Sequence, residues 1–543
     1  MGRSGLWRHV AESGARASWT ERRPIARLAA ALRATLVPGV LPVLALIGLV
    51  AVLVATRWGA GLAPDSVRYL SMAEQLESGN GFTSFHEGSF RPETHYPPLL
   101  SGTLALFSLL GATPLTAARL LNAVALSISV LLIAALINKV TRGSRTAALV
   151  GAALMVLSVD LLHVHAMALS EALFILLNLC FLVLLMRYVE APTRGTLIGL
   201  SVVAGLALLD RYLGFAVLAT GVIGVLAFPS RSHRGAAKDV AVFLTIASTP
   251  IVAWLIRAAM IDSTLAGRTI QLTAPDLADA RVLLVMVTGW LFPVQGSGPV
   301  LAGLLLLPAL ALAWMALWLR RTDPRKWRGT LIVMLNIGAL LGVLIAGMTL
   351  IATDYSFIGR QISMVHVLAI VVVVTIVDHY VRHHARTLRA VSAGLLVALI
   401  VVSGARSALW VRDSFRDGLV YQSPDYLNSQ LMAAVDRVPP GVEIVSNAPE
   451  AVYAHTRRMA SALPSEFDPR TERRNPDFEQ DMNALEADTR SGEAVIVYFR
   501  PIGWKEFMPT LHEVKSMVDV EPARDTSFGV MLRAERPSAR GPG

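Results

Sequence analysis

Long apolar runs recur along the first 404 residues of this chain and then stop. Each approaches the ~17–25 residues that an α-helix needs to cross about 30 Å of hydrocarbon. In lipid every backbone polar group must be satisfied internally, which favours helices. The sequence therefore predicts about eleven membrane helices, at Pro38–Thr56, Ala117–Asn138, Ala147–Leu162, Leu169–Met186, Thr196–Leu209, Leu213–Phe228, Val240–Ile256, Val300–Trp318, Thr330–Ala352, Ile362–Val377 and Leu388–Gly404.

Composition agrees with a membrane protein and argues against two other classes. The chain is 54% apolar and 16% charged, whereas soluble domains carry roughly 25% charged residues. Its formal charge is +10, but the basic residues are spread over short loops, which argues against nucleic-acid binding. Cys180 is the one cysteine, so an intramolecular disulfide is excluded and a small buried side chain is indicated.

Loop charges predict the orientation. Residues 1–37 are rich in arginine and precede the first apolar run, which indicates a cytoplasmic N-terminus and an uncleaved first helix. An odd number of crossings then places residues 405–543 on the outer side of the cell membrane, which is the plasma or inner membrane. The assignment of membrane spans is weak at two places. Asp210–Tyr212 is predicted to be the charged outer tip of a tilted hairpin. Val282–Val294 is predicted to be an interfacial or re-entrant segment.

Residues 405–543 have the pattern of a small α/β domain. Strand-like runs are Val442–Val445, Ala494–Tyr498 and Phe528–Leu532, and a turn at Asn447–Tyr453 leads into a predicted helix. The predicted organisation is a cytoplasmic basic N-terminus at 1–37, a transmembrane domain at 38–404 with a first outer loop at 57–116, and an extracytoplasmic α/β domain at 405–543.

The first outer loop contains the residues best suited to chemistry. Asp65 follows Pro64 and begins a segment with helical spacing, so one interpretation is a helix N-cap. Its predicted place beside the membrane surface, with Arg68 one turn away, also allows the role of a general base. Glu93 and His95 precede a double proline, which reads as a stiff lead-in to a helix or as part of a cleft. No metal-ligand spacing accompanies them.

Three charged residues near the ends of apolar runs extend this list. Glu171 lies just inside the apolar run Leu169–Met186, at its predicted outer end. An ionisable group there indicates a functional site, or its side chain extends to the lipid headgroups. Arg360 is placed to bind a phosphate at the lipid interface, or to pair with Asp354 or with headgroups. Arg211 offers a similar donor.

These residues resemble the GT-C membrane glycosyltransferases, and within them the glycosyltransferase 39 group, which includes protein O-mannosyltransferases and the transferase that adds aminoarabinose to lipid A. The similar segments are Asp65–Leu70, Leu76–Gly79, His95–Leu99, Leu169–Phe174, Arg211–Gly214 and Ser446–Pro449. Ser66 stands where the family often has Glu, and His95-Tyr96 where the aminoarabinose branch has Glu-Lys.

The resemblance implies an inverting transferase that takes a sugar from a polyprenyl-phosphate donor to a lipid, protein or wall-polymer acceptor. Asp65 would be the base and Glu171 the second catalytic acid residue, while Arg360 and Arg211 would bind the donor phosphate. The implied supporting residues are Arg68, Tyr69, Glu93, His95 and Tyr96. No cofactor is implied with certainty, and a divalent metal stays open.

Two other classes of function stay open at this point. A secondary transporter or lipid-linked flippase would show ionisable groups near mid-membrane and a repeat relating two halves, whereas the charges here gather at one face. A scaffold or inactive homologue would keep the fold without turnover.

Overall fold

The computed structural model describes residues 39–227, 233–262, 272, 277–291, 298–350, 359–468, 473–502 and 505–534. The predicted cytoplasmic segment 1–37 and the predicted Asp354 partner of Arg360 lie outside these residues. Every predicted apolar run coincides with a helix or a pair of helices. The helices up to the C-terminal domain are α1 Val40–Ala55, α2 Pro64–Glu77, α3 Leu99–Ser108, α4 Pro114–Val140, α5 Arg145–Val156, α6 Val159–Ala166, α7 Glu171–Glu190, α8 Arg194–Asp210, α9 Gly214–Ala227, α10 His233–Ile261, α11 Leu277–Leu291, α12 Gly298–Thr322, α13 Pro324–Leu350, α14 Gly359–Arg382 and α15 Arg386–Asp417.

Among the described residues, seven helices are long and apolar enough to cross a membrane on their own. Helices α5 and α6 are bent by 58° at a short break and would make an eighth span as a pair. Others that the sequence predicts as spans, such as α1 and α9, are apolar but shorter. The total of about eleven crossings therefore stays a prediction.

A buried polar ladder ties together the helices that later carry the site. The Nδ2 of Asn178 on α7 donates to the Oδ1 of Asn336 on α13 at 2.9 Å, and the Nδ2 of Asn336 donates to the hydroxyl of Thr220 on α9 at 3.0 Å. All three side chains are buried. Hydrogen bonds between apolar helices hold bundles together where the hydrophobic effect between helices is weak, so α7, α9 and α13 have a fixed relative position.

The segment 57–116 is folded. The sequence predicted the start of α2 and a helix after the double proline, but not the hairpin between them. After α2 the chain forms an antiparallel hairpin of β1 Thr83–His86 and β2 Ser89–Pro92, in which Phe85 pairs with Phe90. The short helix α3 follows the double proline. We call residues 57–116 the first loop.

The C-terminal part is the predicted small α/β domain. Its strands are β3 Glu443–Ser446, β4 Ser461–Ala462, β5 Ala494–Phe499, β6 Val520–Asp525 and β7 Gly529–Ala534, in the order β4-β3-β5-β7-β6, with helices α16 Pro424–Leu427, α17 Gln430–Asp436, α18 Pro449–Thr456, α19 Phe478–Ser491 and α20 Leu511–Met517. Strands β4, β3 and β5 are parallel, and β7 and β6 add antiparallel. The sequence missed β4 and β6. Helix α15 continues to Asp417, past the predicted boundary at residue 405.

The C-terminal domain packs directly on the first loop. Tyr453 of α18 stacks on Phe85 of β1 with ring centroids 4.5 Å apart. Arg457 pairs with Glu74 of α2 at 2.6 Å, and the Tyr453 hydroxyl donates to the same carboxylate at 3.1 Å. The two regions therefore lie at the same end of the helical bundle.

Candidate active site

A cavity of about 390 Å³ lies between the first loop and the ends of several bundle helices. The first loop contributes Asp65, Tyr69, His95 and Tyr96, and the bundle contributes Glu171, Arg211 and Arg360. The rest of the wall is mainly apolar and includes Leu213, Phe215, Leu255, Val343, Leu344 and Leu350. Polar groups therefore gather at one side of a cavity whose other walls suit a lipid chain.

Asp65 does not cap the helix that it begins, so the N-cap interpretation is wrong. Helix α2 starts at Pro64 with Ala63 as its N-cap residue. The backbone N–H of Ala63 donates to the hydroxyl of Ser66 at 3.1 Å, which supplies the side-chain contact at this helix start. The Asp65 carboxylate lies in the first turn, where a negative charge is favoured by the helix dipole, and faces the cavity.

Both oxygens of Asp65 have partners. Arg360 donates from Nη2 to Oδ2 at 2.7 Å, and the Tyr96 hydroxyl donates to Oδ1 at 2.9 Å. Burial alone would raise the pKa of Asp65, but the charge and hydrogen bond of Arg360, followed by the Tyr96 hydroxyl and Arg68, bring it below its usual value. At neutral pH the group is a carboxylate.

Glu171 belongs to the same network and does not snorkel. Its side chain is 1% exposed, and its Oε1 lies 2.8 Å from Nη1 of Arg211 and 4.0 Å from Nε of Arg360. Arg211 also donates a hydrogen bond to the Ser170 hydroxyl at 2.8 Å. The Ser170 hydroxyl in turn lies 3.2 Å from the Tyr69 hydroxyl. Two carboxylates and two guanidiniums thus form one connected group.

The Tyr96 ring forms the centre of the aromatic contacts in this region. It lies 5.0 Å from the Tyr69 ring, and the Arg68 guanidinium lies 5.8 Å from its centroid. Burial, followed by the negative charge of Asp65, raises the pKa of Tyr96 well above its usual value, so its hydroxyl stays a neutral donor. Arg68 does not line the cavity wall and acts on Asp65 through its charge.

Glu93 holds the loop in shape and does not line the cavity. Its Oε1 accepts the backbone N–H groups of His95 and Tyr96 at 2.7 and 3.0 Å, and its Oε2 accepts the Ser84 hydroxyl at 2.6 Å. Burial would raise its pKa, but the nearby His86, the Ser84 hydroxyl and the Tyr96 backbone N–H lower the pKa of Glu93 to about 2. The turn that delivers His95 and Tyr96 to the cavity is built around this carboxylate.

One residue near the site was not singled out from the sequence, and another was predicted in a different environment. Arg257 of α10 donates to the carbonyl oxygens of Glu93 and Phe82 at 2.7 and 3.0 Å, and so fixes both ends of the hairpin. An arginine directly after an apolar run is a signal that could have identified it. Asp210 is fully buried and its carboxylate has no hydrogen-bond partner among the described residues, so the expectation of a charged tip at the interface is wrong.

The site is suited to an amphiphilic anion. Two guanidiniums suit a phosphate, the apolar walls suit its lipid chain, and an ionised carboxylate 2.7 Å from Arg360 can accept a proton. Within the described ranges, no group of three or more His, Cys, Asp and Glu side chains is arranged to hold a metal ion.

Comparison with known proteins identifies one similar family and several similar folds. The family model described as dolichyl-phosphate-mannose-protein mannosyltransferase matches residues 95–260, from the end of the first loop into α10. No curated protein sequence matches the chain.

Solved structures of similar fold extend over most of the chain. The crystal structure of ArnT from Cupriavidus metallidurans bound to undecaprenyl phosphate is 14% identical, with a TM-score of 0.55 over 92% of this chain and 99% of that chain. The arabinofuranosyltransferase AftD from Mycobacteria is 14% identical, with a TM-score of 0.51 over 92% of this chain and 42% of that chain. The Archaeoglobus fulgidus oligosaccharyltransferase is 12% identical, with a TM-score of 0.50 over 83% and 68%.

These likenesses confirm the predicted GT-C fold of a multi-pass membrane protein with a small C-terminal sheet domain. The family model, over residues 95–260, agrees with the predicted resemblance to membrane glycosyltransferases.

Proposed function

We propose that this protein transfers a sugar from a polyprenyl-phosphate donor to an acceptor hydroxyl or amine, with inversion at the anomeric carbon and with Asp65 as the general base. One observation carries the proposal: Asp65 and Arg360 meet in a single cavity whose walls away from the polar groups are mainly apolar. A base and a phosphate-binding cation are thereby placed beside a path for a lipid chain.

The transfer needs one bond to form and one to break. The acceptor oxygen or nitrogen attacks the anomeric carbon, and the bond from that carbon to the phosphate oxygen breaks with its electron pair leaving on polyprenyl phosphate. Asp65 takes the proton from the acceptor. General-base assistance of this kind is worth roughly 10²–10⁴-fold in rate.

Arg360 has two roles in sequence. In the donor-free protein it pairs with Asp65, and in the complex it turns to the donor phosphate with help from Arg211. The departing phosphate gains negative charge in the transition state, which a preorganised cation stabilises. The exchange also relieves Asp65 of its strongest partner, so its pKa rises in the complex and the carboxylate becomes a better base.

The remaining residues position these groups. Glu171 orients Arg211 through the 2.8 Å pair, and its second oxygen has no hydrogen-bond partner among the described residues, which makes it the candidate contact for the acceptor. His95 lines the cavity beside Tyr96 and is a second candidate contact. Tyr69 and Arg68 hold Tyr96 in place.

The proposed partners are a polyprenyl-phosphate sugar and a lipid, protein or wall-polymer acceptor, at the plasma or inner membrane. The N-terminus would be cytoplasmic and the C-terminal domain extracytoplasmic. Packing of the C-terminal domain on the first loop supports this arrangement, since both then face the compartment that contains the acceptor.

The test uses the full chain, purified in detergent or nanodiscs and supplied with a panel of polyprenyl-phosphate sugars together with acceptors that carry a hydroxyl or an amine. We expect release of polyprenyl phosphate that depends on both the donor and the acceptor. Asp65→Asn keeps the shape of the side chain and removes the base, so turnover should fall by about 10²–10⁴-fold. Glu77→Gln, an exposed change on the same helix, should leave turnover unchanged.

Equal rates for wild type and Asp65→Asn would refute the base. Counterflow of an intact lipid-linked substrate in proteoliposomes, with no covalent product from any donor, would refute the transferase and favour a transporter.

A further inference from the structure

A second cavity, of about 250 Å³, lies between α6, α11, α14 and α15. Helix α14 gives Arg360 in its first turn to the cavity described above, and residues from His366 to Val374 to this one. The second cavity shares no lining residue with the first, so the proposed transfer does not account for it.

The charged lining lies at the end of this cavity that is nearer the first loop. His163 of α6 and Trp410 of α15 meet with ring centroids 6.0 Å apart. One helical turn before each of them come Asp160 and Arg406, and both line the cavity. A negative and a positive side chain therefore occur at about the same depth in the bundle.

The opposite end of the cavity is apolar. Leu399 precedes Arg406 by seven residues on α15, which places it ~10 Å further from the first loop. Val374 lies ~21 Å along α14 from Arg360. Leu154 on α5 adds to this part of the wall. Polarity is thus graded along the bundle axis, with charges at the end near the first loop and hydrocarbon below.

Charged side chains on membrane helices are costly and usually mark a site. Asp160 and Arg406 line the same cavity without a direct ion pair between them in the described part of the chain. Arg406 donates from Nη1 to the carbonyl of Gly289 at 3.4 Å, and a guanidinium has five N–H donors in all. Most of its hydrogen-bonding capacity is therefore available to a ligand.

A buried polar atom lies between the charged and apolar ends. His366 is 7% exposed, lines the cavity and stacks on Trp290 with ring centroids 4.2 Å apart. Its Nδ1 has no hydrogen-bond partner among the described residues. An unpaired buried nitrogen is destabilising, and a ligand with a polar group at this depth would give it a hydrogen-bond partner.

We propose that the second cavity binds a phospholipid with a zwitterionic headgroup that carries a phosphate and a primary ammonium. The phosphate pairs with Arg406 and the ammonium with Asp160. A glycerol ester carbonyl, which lies just below the phosphate in such a lipid, accepts from His366. One acyl chain runs along Ile370, Val374 and Leu399.

Charge complementarity selects this occupant. A polyprenyl phosphate or another anionic lipid would satisfy Arg406 but would bring its negative charge close to Asp160 with nothing to pair that carboxylate. A lipid that offers both charges at headgroup spacing satisfies both side chains.

The experiment presents the purified full-length protein with equal amounts of phosphatidylethanolamine and phosphatidylglycerol and counts the retained lipids by native mass spectrometry. We expect the wild type to retain phosphatidylethanolamine at least ~10-fold over phosphatidylglycerol. Arg406→Gln should lose that retention by a similar factor, and Asp160→Asn should lose the preference while keeping phosphatidylglycerol. Arg412→Gln, an exposed change on the same helix, should behave as wild type.

A second measurement needs no variant. Phosphatidylethanolamine with a diazirine on its acyl chain should label α14 and α15 around Ile370 and Leu399 in the wild type. Labelling spread evenly over the lipid-facing helices, equal retention of both lipids by the wild type, or displacement by a polyprenyl phosphate at equal concentration would each overturn the proposal.

Discussion

The first loop contains two acidic regions that differ sharply in what surrounds the carboxylate. Asp65 is 30% exposed, faces the cavity and has one cationic and one hydroxyl partner. Glu93 is 0% exposed and accepts two backbone N–H groups and a hydroxyl, with His86 at 3.6 Å. A carboxylate whose partners are side chains on other elements can exchange them for a substrate. One that accepts backbone donors of its own turn is part of the fold.

After Asp65→Asn, the largest expected effect concerns the cation beside the reactive carboxylate. Arg360→Ala should reduce turnover by roughly 10²–10³-fold, because it removes a group that stabilises the departing phosphate. Kinetics with a polyprenyl-phosphate sugar measures this. Arg325→Ala, which removes an exposed arginine from α13, is the matched control, and an equal loss in both variants would contradict a specific role.

Glu93→Gln should act on stability rather than on chemistry. An amide replaces an acceptor-only group, so at least one donor that now bonds to Glu93 meets an N–H₂ group, at a cost of about 1–3 kcal/mol in free energy of unfolding. Thermal unfolding in detergent should show a lower midpoint. Glu87→Gln, an exposed change in the hairpin turn, should not. A stable Glu93→Gln protein without turnover would erase the distinction between the two regions.

Tyr96→Phe tests the neutral partner of Asp65. The hydroxyl donates one hydrogen bond to the carboxylate at 2.9 Å, and a bond to a charged group contributes about 1.5–3 kcal/mol, so turnover should change by no more than ~100-fold. Tyr498→Phe in the C-terminal domain removes a comparable hydroxyl far from the cavity and should leave turnover unchanged. A loss as large as that of Asp65→Asn would make Tyr96 a participant in the proton transfer.

The smallest expected effect is a difference between two pH profiles. The pKa of Asp65 lies below its usual value in the free protein because of Arg360, and activity is lost as the pH falls through that pKa. The acid limb of kcat/KM reports the free protein and that of kcat the complex. If the donor phosphate binds Arg360 and separates it from Asp65, the acid limb of the kcat profile should lie at higher pH than the acid limb of the kcat/KM profile. Coincident limbs would show that Arg360 stays on Asp65.

Much of the bundle was predictable because apolar length is a local property. The runs that contain α4, α7 and α14 stood out from the sequence, and the strands at Glu443–Ser446 and Ala494–Phe499 were recognisable from β-branched residues. The hairpin of the first loop was not, because its short strands carry few such residues and are held by Arg257 from a distant helix.

The contacts of the site depended on long-range packing. Position beside an apolar run was enough to select Asp65, Glu171 and Arg360, and resemblance to a family added their proposed roles. That Asp65 pairs with Arg360, 295 residues later in the chain, could not be read from spacing. The N-cap assignment failed for a local reason: a short Ser66 side chain one position later met the amide of Ala63 instead.

The C-terminal domain is a structural partner of α2, the helix that contains Asp65. The contacts are the stacking of Tyr453 on Phe85 and the ion pair between Arg457 and Glu74. A protein shortened after α15 would leave α2 without these contacts, so truncation should disturb turnover even though no described residue of the C-terminal domain lines the cavity wall. Chimaeras that exchange the C-terminal domain between homologues should keep turnover only when the first loop is exchanged together with that domain.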